Sequence, residues 1–311
     1  MSEFILGIAL VFGAFTNFFV WMALIYMSFF TPLTFVLAIN NPVTDCGCFG
    51  DAVVMTNWQT FFKNIAIVAI IVPVFIYRKK IQTPFSLKGQ WGIILISIAS
   101  FLFLSVYTYR HLPIIDFRPY KTGTYIPDGI RIPEGMPVDS FSYTLFYQKG
   151  ETVKEFALEN LPADTAWKWV KTKTKLVKKG YHPPIHDFSF TDQQEDNVTD
   201  SILTDTSYVF LAVSNKLIKA STDGLNALKL IYEYSRKHNY KFYLATSSTS
   251  DEISRYQDEL SLHFPFYTAD DIMLKTVIRA NPGLVLIKNG TIIKKWHYND
   301  FPCVEELLKI E

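Results

Sequence analysis

The first part of the sequence lacks charge almost completely. No Asp, Glu, Lys or Arg occurs between Phe4 and Thr44, a run of 41 residues, whereas a single membrane-spanning helix needs only about 20 apolar residues. The run therefore predicts two spans. The chain also lacks an excess of either charge, with a formal net charge of +1 over 311 residues. The composition thus gives no sign of a nucleic acid or another polyanion as partner, and the length predicts two domains.

Four membrane helices are predicted, at residues 3–19, 20–40, 59–77 and 90–109. A polar turn at Thr16 and Asn17 would separate the first two, and Pro32 is expected to kink the second. The first span has no basic residues ahead of it and no small-residue cleavage site, so we expect it to be retained rather than removed as a signal peptide. Residues 1–110 are therefore interpreted as an all-α four-helix membrane domain.

The orientation follows from the loop between the third and fourth predicted spans. This loop has four basic residues and no acidic one: Arg78, Lys79, Lys80 and Lys88. Short loops rich in Lys and Arg stay in the cytoplasm. We therefore predict a multi-pass protein of the cytoplasmic (inner) membrane, with the chain from about His111 onward on the periplasmic side. The N-terminus then also lies outside, so either Met1 is an internal start behind a further helix, or a short tail crosses easily.

Two of the three cysteines stand one glycine apart in the loop between the second and third spans, in the sequence NPVTDCGCFGD. Oxidising conditions outside the membrane favour disulfides, and Gly47 gives the backbone freedom for Cys46 and Cys48 to approach each other. Such a small ring is strained, and strained disulfides are the exchangeable, oxidising kind. The flanking Asp45 and Asp51 would disfavour thiolates by like-charge repulsion, which favours a pair that accepts electrons.

Two other interpretations of this loop are open. A zinc site usually needs four ligands, and the membrane half has no histidine and no third cysteine, so metal binding is disfavoured. Alternatively, Asp45, Gly47, Gly50 and Asp51 form a compact turn that caps the third span, and the thiols pack there incidentally.

The sequence around these cysteines resembles a known family. Residues 29–64, FFTPLTFVLAINNPVTDCGCFGDAVVMTNWQTFFKN, are similar to DoxX-like and MauE-like membrane proteins, in which a Cys-Gly-Cys-Phe-Gly-Asp loop joins two spans. In this chain the motif is completed by Phe49, Gly50 and Asp51. The resemblance is strongest to the subgroup that carries a thioredoxin-like domain after the membrane part.

This resemblance implies a link to thiol chemistry. MauE-like proteins are implicated in the maturation of exported, disulfide-rich methylamine dehydrogenase subunits, and DoxX-like proteins in thiol or sulfur redox, sometimes with quinone. It also implies one more upstream helix than this chain has. No cofactor is certain, but the resemblance makes a quinone the candidate.

The exported half begins with proline-rich residues 111–139, which are interpreted as a linker. In the strand-rich segment 140–205, residues 140–148 should pair with 152–158 across Lys149-Gly150. Residues 168–179 contain six lysines. These are expected to form a solvated face, with anionic lipid headgroups as the alternative contact.

Residues 206–311 alternate strand and helix. Strands are predicted at SYVFLAVS and KFYLAT, each followed by a helix, and then a hairpin turning at Asn289-Gly290 and a last helix from Cys303. This order is similar to the thioredoxin fold. By that resemblance Pro282 should be preceded by a cis peptide and face the redox site.

The redox Cys-x-x-Cys that belongs after the first strand of this unit is missing. Its place is held by NKLIKASTDGLN, so the module should bind rather than catalyse thiol exchange. Cys303 is expected to lie not far from Pro282 and to pack as a small buried residue.

Three functions were compared on this basis. The favoured one is a membrane accessory for thiol redox or maturation of exported proteins, with Cys46 and Cys48 as redox pair and the thioredoxin-like domain holding an exported thiol-containing client. The alternative is a non-enzymatic scaffold or assembly factor. A transporter is disfavoured because no Asp, Glu, Lys, Arg or His lies in the middle of a span.

Overall fold

The computed structural model describes residues 1–307 apart from Thr44, Asp45, Cys46, Cys48, Val138, Glu159, Asn160, Pro162, Ala163, Thr165 and Lys179. Four helices come first, followed by a small and a large β-sheet. The helical part and the large sheet correspond to the membrane and the α/β part expected from the sequence.

The four helices of the first part are α1 (Ser2–Val11), α2 (Thr16–Asn40), α3 (Asn57–Tyr77) and α4 (Leu87–Arg110). In the described part of the chain, α2, α3 and α4 are long and apolar enough to cross a membrane, which makes this a multi-pass membrane protein. The predicted third and fourth spans are confirmed to within a few residues. Their starts are fixed by the hydroxyl caps Thr56 and Ser86, which accept hydrogen bonds from Gln59 N and Gly89 N.

The first predicted span differs from the structure. The helix α1 has 10 residues, about 15 Å, which is half of a bilayer core of about 30 Å. It ends early because Gly13 and Phe15 take positive φ values of 67° and 46°, which no helix accommodates. The turn therefore precedes Thr16, where α2 begins, and a four-span count is not confirmed.

Polar side chains join α2 to α3 within the apolar part. Asn64 Nδ2 of α3 donates to the Thr34 hydroxyl of α2 at 3.1 Å. Deeper along the pair, Val20 and Ala23 pack against Ile71. The hydrophobic effect does not drive helices together inside a lipid bilayer. Their association depends instead on close packing, which small residues allow, and on interhelical hydrogen bonds.

The small sheet consists of β1 (Ser140–Lys149), β2 (Thr152–Ala157) and β3 (Lys168–Lys178), in the order β2-β1-β3. The predicted hairpin is confirmed, with Lys149 opposite Thr152. The lysine-rich segment is the third strand, antiparallel to β1. Its lysines 168, 171, 173 and 178 are exposed, as expected of a solvated face.

The large sheet consists of β4 (Phe190–Thr191), β5 (Tyr208–Ser214), β6 (Lys241–Thr246), β7 (Phe266–Ala269), β8 (Gly283–Lys288) and β9 (Thr291–His297). Their order is β4-β7-β6-β5-β8-β9, with β5, β6 and β7 parallel and the others antiparallel to their neighbours. The helices of this part are α5 (Ile126–Ile130), α6 (Thr199–Leu203), α7 (Thr222–Lys237), α8 (Ser250–Leu260), α9 (Asp271–Val277) and α10 (Val304–Leu307). A β5-α7-β6 unit followed by the β8-β9 hairpin confirms the predicted thioredoxin-like α/β domain.

Both faces of the large sheet are covered. On one face, Leu225 and Leu228 of α7 and Ile253 of α8 pack against Leu244 and Leu286 of the strands. On the other face, Leu274 of α9 and Phe190 of β4 pack against Leu211 and Val285. The near-continuous apolar strands SYVFLAVS and GLVLIKN follow from this burial on both faces.

The predicted linker does more than connect. Tyr120 and Ile126 are buried in the core on the α9 side. Gly123 N donates to Ile292 O at 2.7 Å, and Ile126 N donates to Gly290 O at 2.9 Å. Residues 120–126 therefore run along the edge strand β9 and belong to the packing of the α/β domain.

A buried ion pair also attaches the segment around Asp116 and Tyr120 to β9. Lys295 Nζ lies 2.7 Å from Asp116 Oδ2 and donates to Tyr120 O at 2.9 Å. The Lys295 side chain is only 6% exposed. Burial lowers the pKa of Lys295 and Asp116 only partly offsets this. Burial alone would raise the pKa of Asp116, but the hydrogen bond and charge of Lys295 outweigh it and hold that pKa below its ordinary value.

Candidate functional site

The loop between α2 and α3 is closed at its base by one side chain. Asn57, at the start of α3, donates from Nδ2 to Asn41 Oδ1 at 2.8 Å and to Val43 O at 2.7 Å. These bonds bring the end of α2 next to the start of α3. The loop they enclose carries the predicted redox pair.

The described part of this loop is a tight turn. Gly47 and Gly50 have φ values of 66° and 54°, a conformation that favours glycine. Gly50 N donates to Gly47 O at 3.0 Å, and Gly50 begins a 3₁₀ turn, Gly50–Ala52, that contains Asp51. Cys46, Cys48 and Asp45 lie outside the described residues, so their pairing and roles remain predictions.

A cation lies beside the loop. Lys63 Nζ of α3 is 4.8 Å from the centre of the Phe49 ring, within the range of a cation–π contact. Phe49 is half exposed and adjoins the predicted redox pair. Lys63 thus puts a positive charge beside the described part of the loop.

In the α/β domain, the peptide Asn281-Pro282 is cis, as predicted. Asn281 is anchored on both sides: its Oδ1 accepts from Ser214 Oγ at 2.7 Å and its Nδ2 donates to Lys216 O at 3.0 Å. Its carbonyl oxygen accepts from Ser221 N at 3.0 Å. The turn before β8 is therefore tied to the start of α7, where a thioredoxin-like fold carries its redox motif.

The start of α7 has no room for a second thiol. Ser221 is the N-cap and its hydroxyl accepts from Gly224 N at 3.2 Å. A Cβ on Gly224 would lie 2.8 Å from Pro282 Cδ and 2.9 Å from Tyr298 Cβ. Ser221 and Gly224 have the spacing of a Cys-x-x-Cys, but a hydroxyl and a hydrogen stand where the sulfurs would be. Ser221 and Gly224 therefore cannot form a disulfide with each other.

The last membrane helix leads directly to this face, termed here the cis-proline face and defined by Ser221, Gly224, Pro282 and Tyr298. Asn299 Nδ2 donates to Arg110 O at 2.8 Å, and His111 Nδ1 lies 2.6 Å from Asp300 Oδ1. The end of α4 thus contacts the turn that follows β9. Because α2 ends, α3 begins and α4 ends on one side of the helices, the loop and this face share that side.

Near this contact a histidine is buried. His297, at the end of β9, has a side chain that is almost inaccessible, and its Nδ1 accepts from Asn299 N at 3.2 Å. Burial lowers the pKa of His297, the charge of Asp300 raises it in part, and His111 lowers it further.

Cys303 differs from its prediction. It precedes α10 and is exposed, so the expectation that it packs as a buried residue is wrong. That Cys303 lies not far from Pro282 stays a prediction.

Three residues of these sites were missed by sequence reasoning. Asn57 and His297 carry no local pattern that distinguishes them from other polar residues. Lys63 is the one charged residue in the predicted third span, and a lysine near the start of a span is expected simply to extend outward to the interface. The signal for Lys63 is its position, two turns into α3 and thus on the level of the loop.

Two stretches of the chain match known families. Residues 1–76 match the family described as methylamine utilisation protein MauE. Residues 141–179, which include the small sheet, match a domain of unknown function, DUF8463. No curated protein sequence matches the chain. The predicted MauE likeness is thereby confirmed for the membrane part, whereas the likeness to DoxX-like proteins stays a prediction.

Solved structures resemble the α/β part. A thiol-disulfide oxidoreductase from Bacteroides fragilis is 13% identical, with 40% of this chain and 95% of that chain covered and a TM-score of 0.32. A thioredoxin-like protein from Porphyromonas gingivalis is 10% identical, with 40% and 88% covered and a TM-score of 0.32. A thiol:disulfide interchange protein from a Bacteroides species is 14% identical, with 35% and 75% covered and a TM-score of 0.29. The thioredoxin-like assignment rests on the strand order and connections of this chain itself.

Proposed function

We propose that this protein is a membrane-bound accessory for thiol redox, which oxidises exported client proteins during their maturation. Cys46 and Cys48 form the redox pair, and the cis-proline face of the α/β domain binds the client. The observation that carries the proposal is the contact of Arg110 and His111 with Asn299 and Asp300, which puts the cis-proline face at the end of α4. The helix order brings the Cys-Gly-Cys loop to that same side.

The proposed reaction is a thiol-disulfide exchange. A client thiolate attacks one sulfur of the Cys46–Cys48 disulfide, the sulfur–sulfur bond breaks, and a mixed disulfide forms. A second client thiol then attacks this mixed disulfide and releases the loop as a dithiol. The client loses two electrons and two protons, and the loop gains them. A lipid-soluble quinone is the proposed acceptor that reoxidises the loop and becomes a quinol.

The two parts divide the work because neither suffices alone. The α/β domain has no dithiol at Ser221 and Gly224, so it binds and orients the client. The loop has two thiols but only a short turn, so it has little surface with which to select one. Lys63 favours the thiolate of the reduced loop, and Asp45 and Asp51 oppose it.

The proposal includes an orientation. The basic loop from Arg78 to Lys88 lies in the cytoplasm, and the α/β domain is periplasmic, in the inner membrane. The four helices form one membrane domain, in which α1 completes the bundle alongside α4. A membrane-impermeant thiol reagent, applied to intact spheroplasts after reduction, is expected to label Cys46 or Cys48 and Cys303. Labelling only after lysis would contradict this orientation.

Mixed-disulfide trapping tests the function. In a Cys48→Ser variant, and in a matched Cys46→Ser variant, one remaining sulfur should capture a client as a covalent adduct that a reductant releases. The control is Cys303→Ser, which should leave the yield of adduct unchanged. The variants Cys46→Ala, Cys48→Ala and the double variant should share one loss of client oxidation, because losing either sulfur removes the whole disulfide. Full client oxidation in all three variants would contradict the redox function.

A second candidate is favoured by the base of the loop. Asn57 holds both ends of the loop with two hydrogen bonds, and Thr56 and Gln59 form a capping box behind it. This is the framework expected of a compact structural turn in a non-enzymatic scaffold or assembly factor. The two functions differ in one measurement, which is whether the Cys46–Cys48 pair changes its oxidation state in cells.

A further inference from the structure

A cavity of about 450 Å³ opens where the last membrane helix meets the α/β domain. Its wall includes Tyr109 from the end of α4, Lys219 before α7, Arg279 before the cis peptide, and His297 at the end of β9. It therefore has one side from the membrane part and the other from the α/β domain. The cavity shares Tyr298 with the cis-proline face but does not include Ser221, Gly224 or Pro282.

The charge of this cavity is positive. Arg118, Lys219, Lys275 and Arg279 contribute cations to the wall, and no Asp or Glu is among the described residues that line it. The neighbouring carboxylates are already paired: Asp271 with Lys275 at 2.5 Å and Asp300 with His111 at 2.6 Å. Lys219 and Arg279 have no ion-pair partner among the described residues. An anion in the cavity would meet two cations that are not otherwise neutralised.

A buried donor is also available. His297 is only 3% exposed and lines the cavity. Because its Nδ1 accepts from Asn299 N, the neutral ring carries its hydrogen on Nε2. The structure gives Nε2 no hydrogen-bond partner among the described residues. Because His297 lines the cavity, this N–H is available to donate to an anionic oxygen there.

The position of the cavity relative to the bilayer indicates the source of the anion. Helix α4 has 24 residues, a length of about 36 Å, which exceeds a bilayer core of about 30 Å. Its last turn, with Tyr109, therefore reaches the headgroup layer, where tyrosine is enriched. Beyond the helix, Ile114 and Ile115 are 71% and 64% exposed. Exposed apolar side chains directly after a span fit contact with lipid.

We propose that this cavity binds the phosphate of an anionic phospholipid from the leaflet that faces the α/β domain. Arg279 and Lys219 hold the phosphate oxygens and His297 Nε2 donates to one of them. A guanidinium can bind two phosphate oxygens at once, which favours Arg279 as the main contact. The bound lipid holds the cis-proline face against the membrane surface. This site does not involve Cys46 or Cys48, so it stands whether or not the loop is a redox pair.

Lipid binding by the full chain tests this proposal. The protein in neutral detergent micelles is titrated with phosphatidylglycerol that carries a fluorescent acyl chain, and in parallel with the matching phosphatidylcholine. The wild type should bind the anionic lipid more tightly. The double variant Lys219→Gln/Arg279→Gln should weaken that binding by about tenfold or more, because two charge-assisted hydrogen bonds are lost. Both side chains are exposed, so the variant should fold.

Matched controls separate this site from general attraction. The double variant Lys237→Gln/Arg255→Gln removes the same charges from the exposed surfaces of α7 and α8, and it should bind the anionic lipid as the wild type does. An equal loss in both double variants, or no loss in the first, would overturn the site. Competition by inorganic phosphate or by an acidic peptide as tight as that of the lipid would overturn the lipid as occupant. Reconstitution in phosphatidylcholine vesicles with and without phosphatidylglycerol should give the same ranking.

Discussion

His111 and Asp300 lie 189 residues apart in sequence, yet their side chains are 2.6 Å apart, Nδ1 to Oδ1. His111 is the first residue after α4, and Asp300 ends the turn after β9. Together with the bond from Asn299 Nδ2 to Arg110 O, this contact fixes the α/β domain to the last membrane helix. The cis-proline face is thereby held at a defined place relative to the end of α4.

Loss of this contact should loosen the junction without unfolding either part. Both side chains are 37% exposed, so the pair alone contributes at most about 1 kcal/mol to the stability of the junction. The test therefore uses the double variant Asn299→Ala/Asp300→Asn, which removes the ion pair and the hydrogen bond to Arg110 O together. Hydrogen exchange of the full chain in micelles should become faster at residues 107–111 and 297–301 and stay unchanged in β5 and β6. The matched control, Asn226→Ala/Asp223→Asn on α7, should leave exchange at the junction unchanged. Faster exchange throughout the large sheet would mean that the contact supports the fold instead.

The pair of Asp116 and Lys295 makes a stronger prediction. Asp116→Asn leaves the Lys295 ammonium buried without its carboxylate partner and with the hydrogen bond to Tyr120 O. The free energy of unfolding of the α/β domain should therefore fall by about 3 kcal/mol. Lys295→Met should lower the free energy of unfolding by less, because it removes the buried charge and leaves Asp116 near solvent. Thermal unfolding of the full chain in micelles checks both. The control is Asp164→Asn, which breaks the exposed pair with Lys149 and should change little.

The same pair predicts a pH dependence. The pKa of Asp116 in the folded state lies below its ordinary value of 3.8. Its contribution to stability is therefore present above that value and is lost as the pH falls through the folded-state pKa. The difference in unfolding temperature between the wild type and Asp116→Asn should shrink below about pH 3.8. A difference that stays constant down to the acid limit would contradict the pairing.

The loop clamp can be tested separately from the cysteines. Asn57→Ala removes the hydrogen bonds to Asn41 and Val43, so exchange of backbone hydrogens at residues 41–56 should become faster. The stability of the start of α3 should fall by about 1–3 kcal/mol. Asn40→Ala is the control, because Asn40 is an exposed amide one residue before the clamp. If the redox function holds, Asn57→Ala should also slow client oxidation while keeping both sulfurs. Unchanged exchange in the loop would show that Asn57 does not hold it.

Much of this fold could be predicted from sequence because its signals are local. Long apolar runs mark α3 and α4, short near-continuous apolar runs mark β5, β6 and β8, and Asn289-Gly290 marks the hairpin, where both residues take positive φ. The early end of α1 could not be predicted, because nothing local to Gly13 and Phe15 requires a left-handed backbone. The strands β4 and β7 have only 2 and 4 residues, too few for a period to show.

The site was predictable only where residue type alone decides the chemistry. The missing dithiol of the α/β domain could be read directly, and the role of Cys46 and Cys48 stays a prediction. The clamp by Asn57, the docking of Arg110 on Asn299 and the cavity at Arg279 could not, because each joins residues that only the tertiary structure brings together. The linker shows the same limit, since five prolines suggest an extended chain but do not reveal that Tyr120 and Ile126 are buried.

A further prediction concerns Gly224, at the start of α7. A Gly→Ala change inside a helix usually stabilises it by about 0.5–1 kcal/mol, but a Cβ on Gly224 would lie 2.8 Å from Pro282 Cδ and 2.9 Å from Tyr298 Cβ. The ring of Pro282 cannot turn away, so Gly224→Ala should instead destabilise the α/β domain by about 1–3 kcal/mol. Asn226→Ala, an exposed position on the same helix, is the control and should be neutral or slightly stabilising. Both are compared by thermal unfolding of the full chain in micelles.

The same contact predicts that the missing redox motif cannot be restored by two substitutions. Ser221→Cys alone should be tolerated, since Ser221 already carries a side chain at the helix N-cap. Ser221→Cys/Gly224→Cys should be destabilised at least as much as Gly224→Ala, because its second Cβ meets the same ring. A stable double variant that forms the disulfide would mean that Pro282 and Tyr298 can yield, and the α/β domain would then be a redox module that has only lost its sulfurs. A destabilised one supports a face in which Pro282 and Tyr298 fill that space, as binding without catalysis requires.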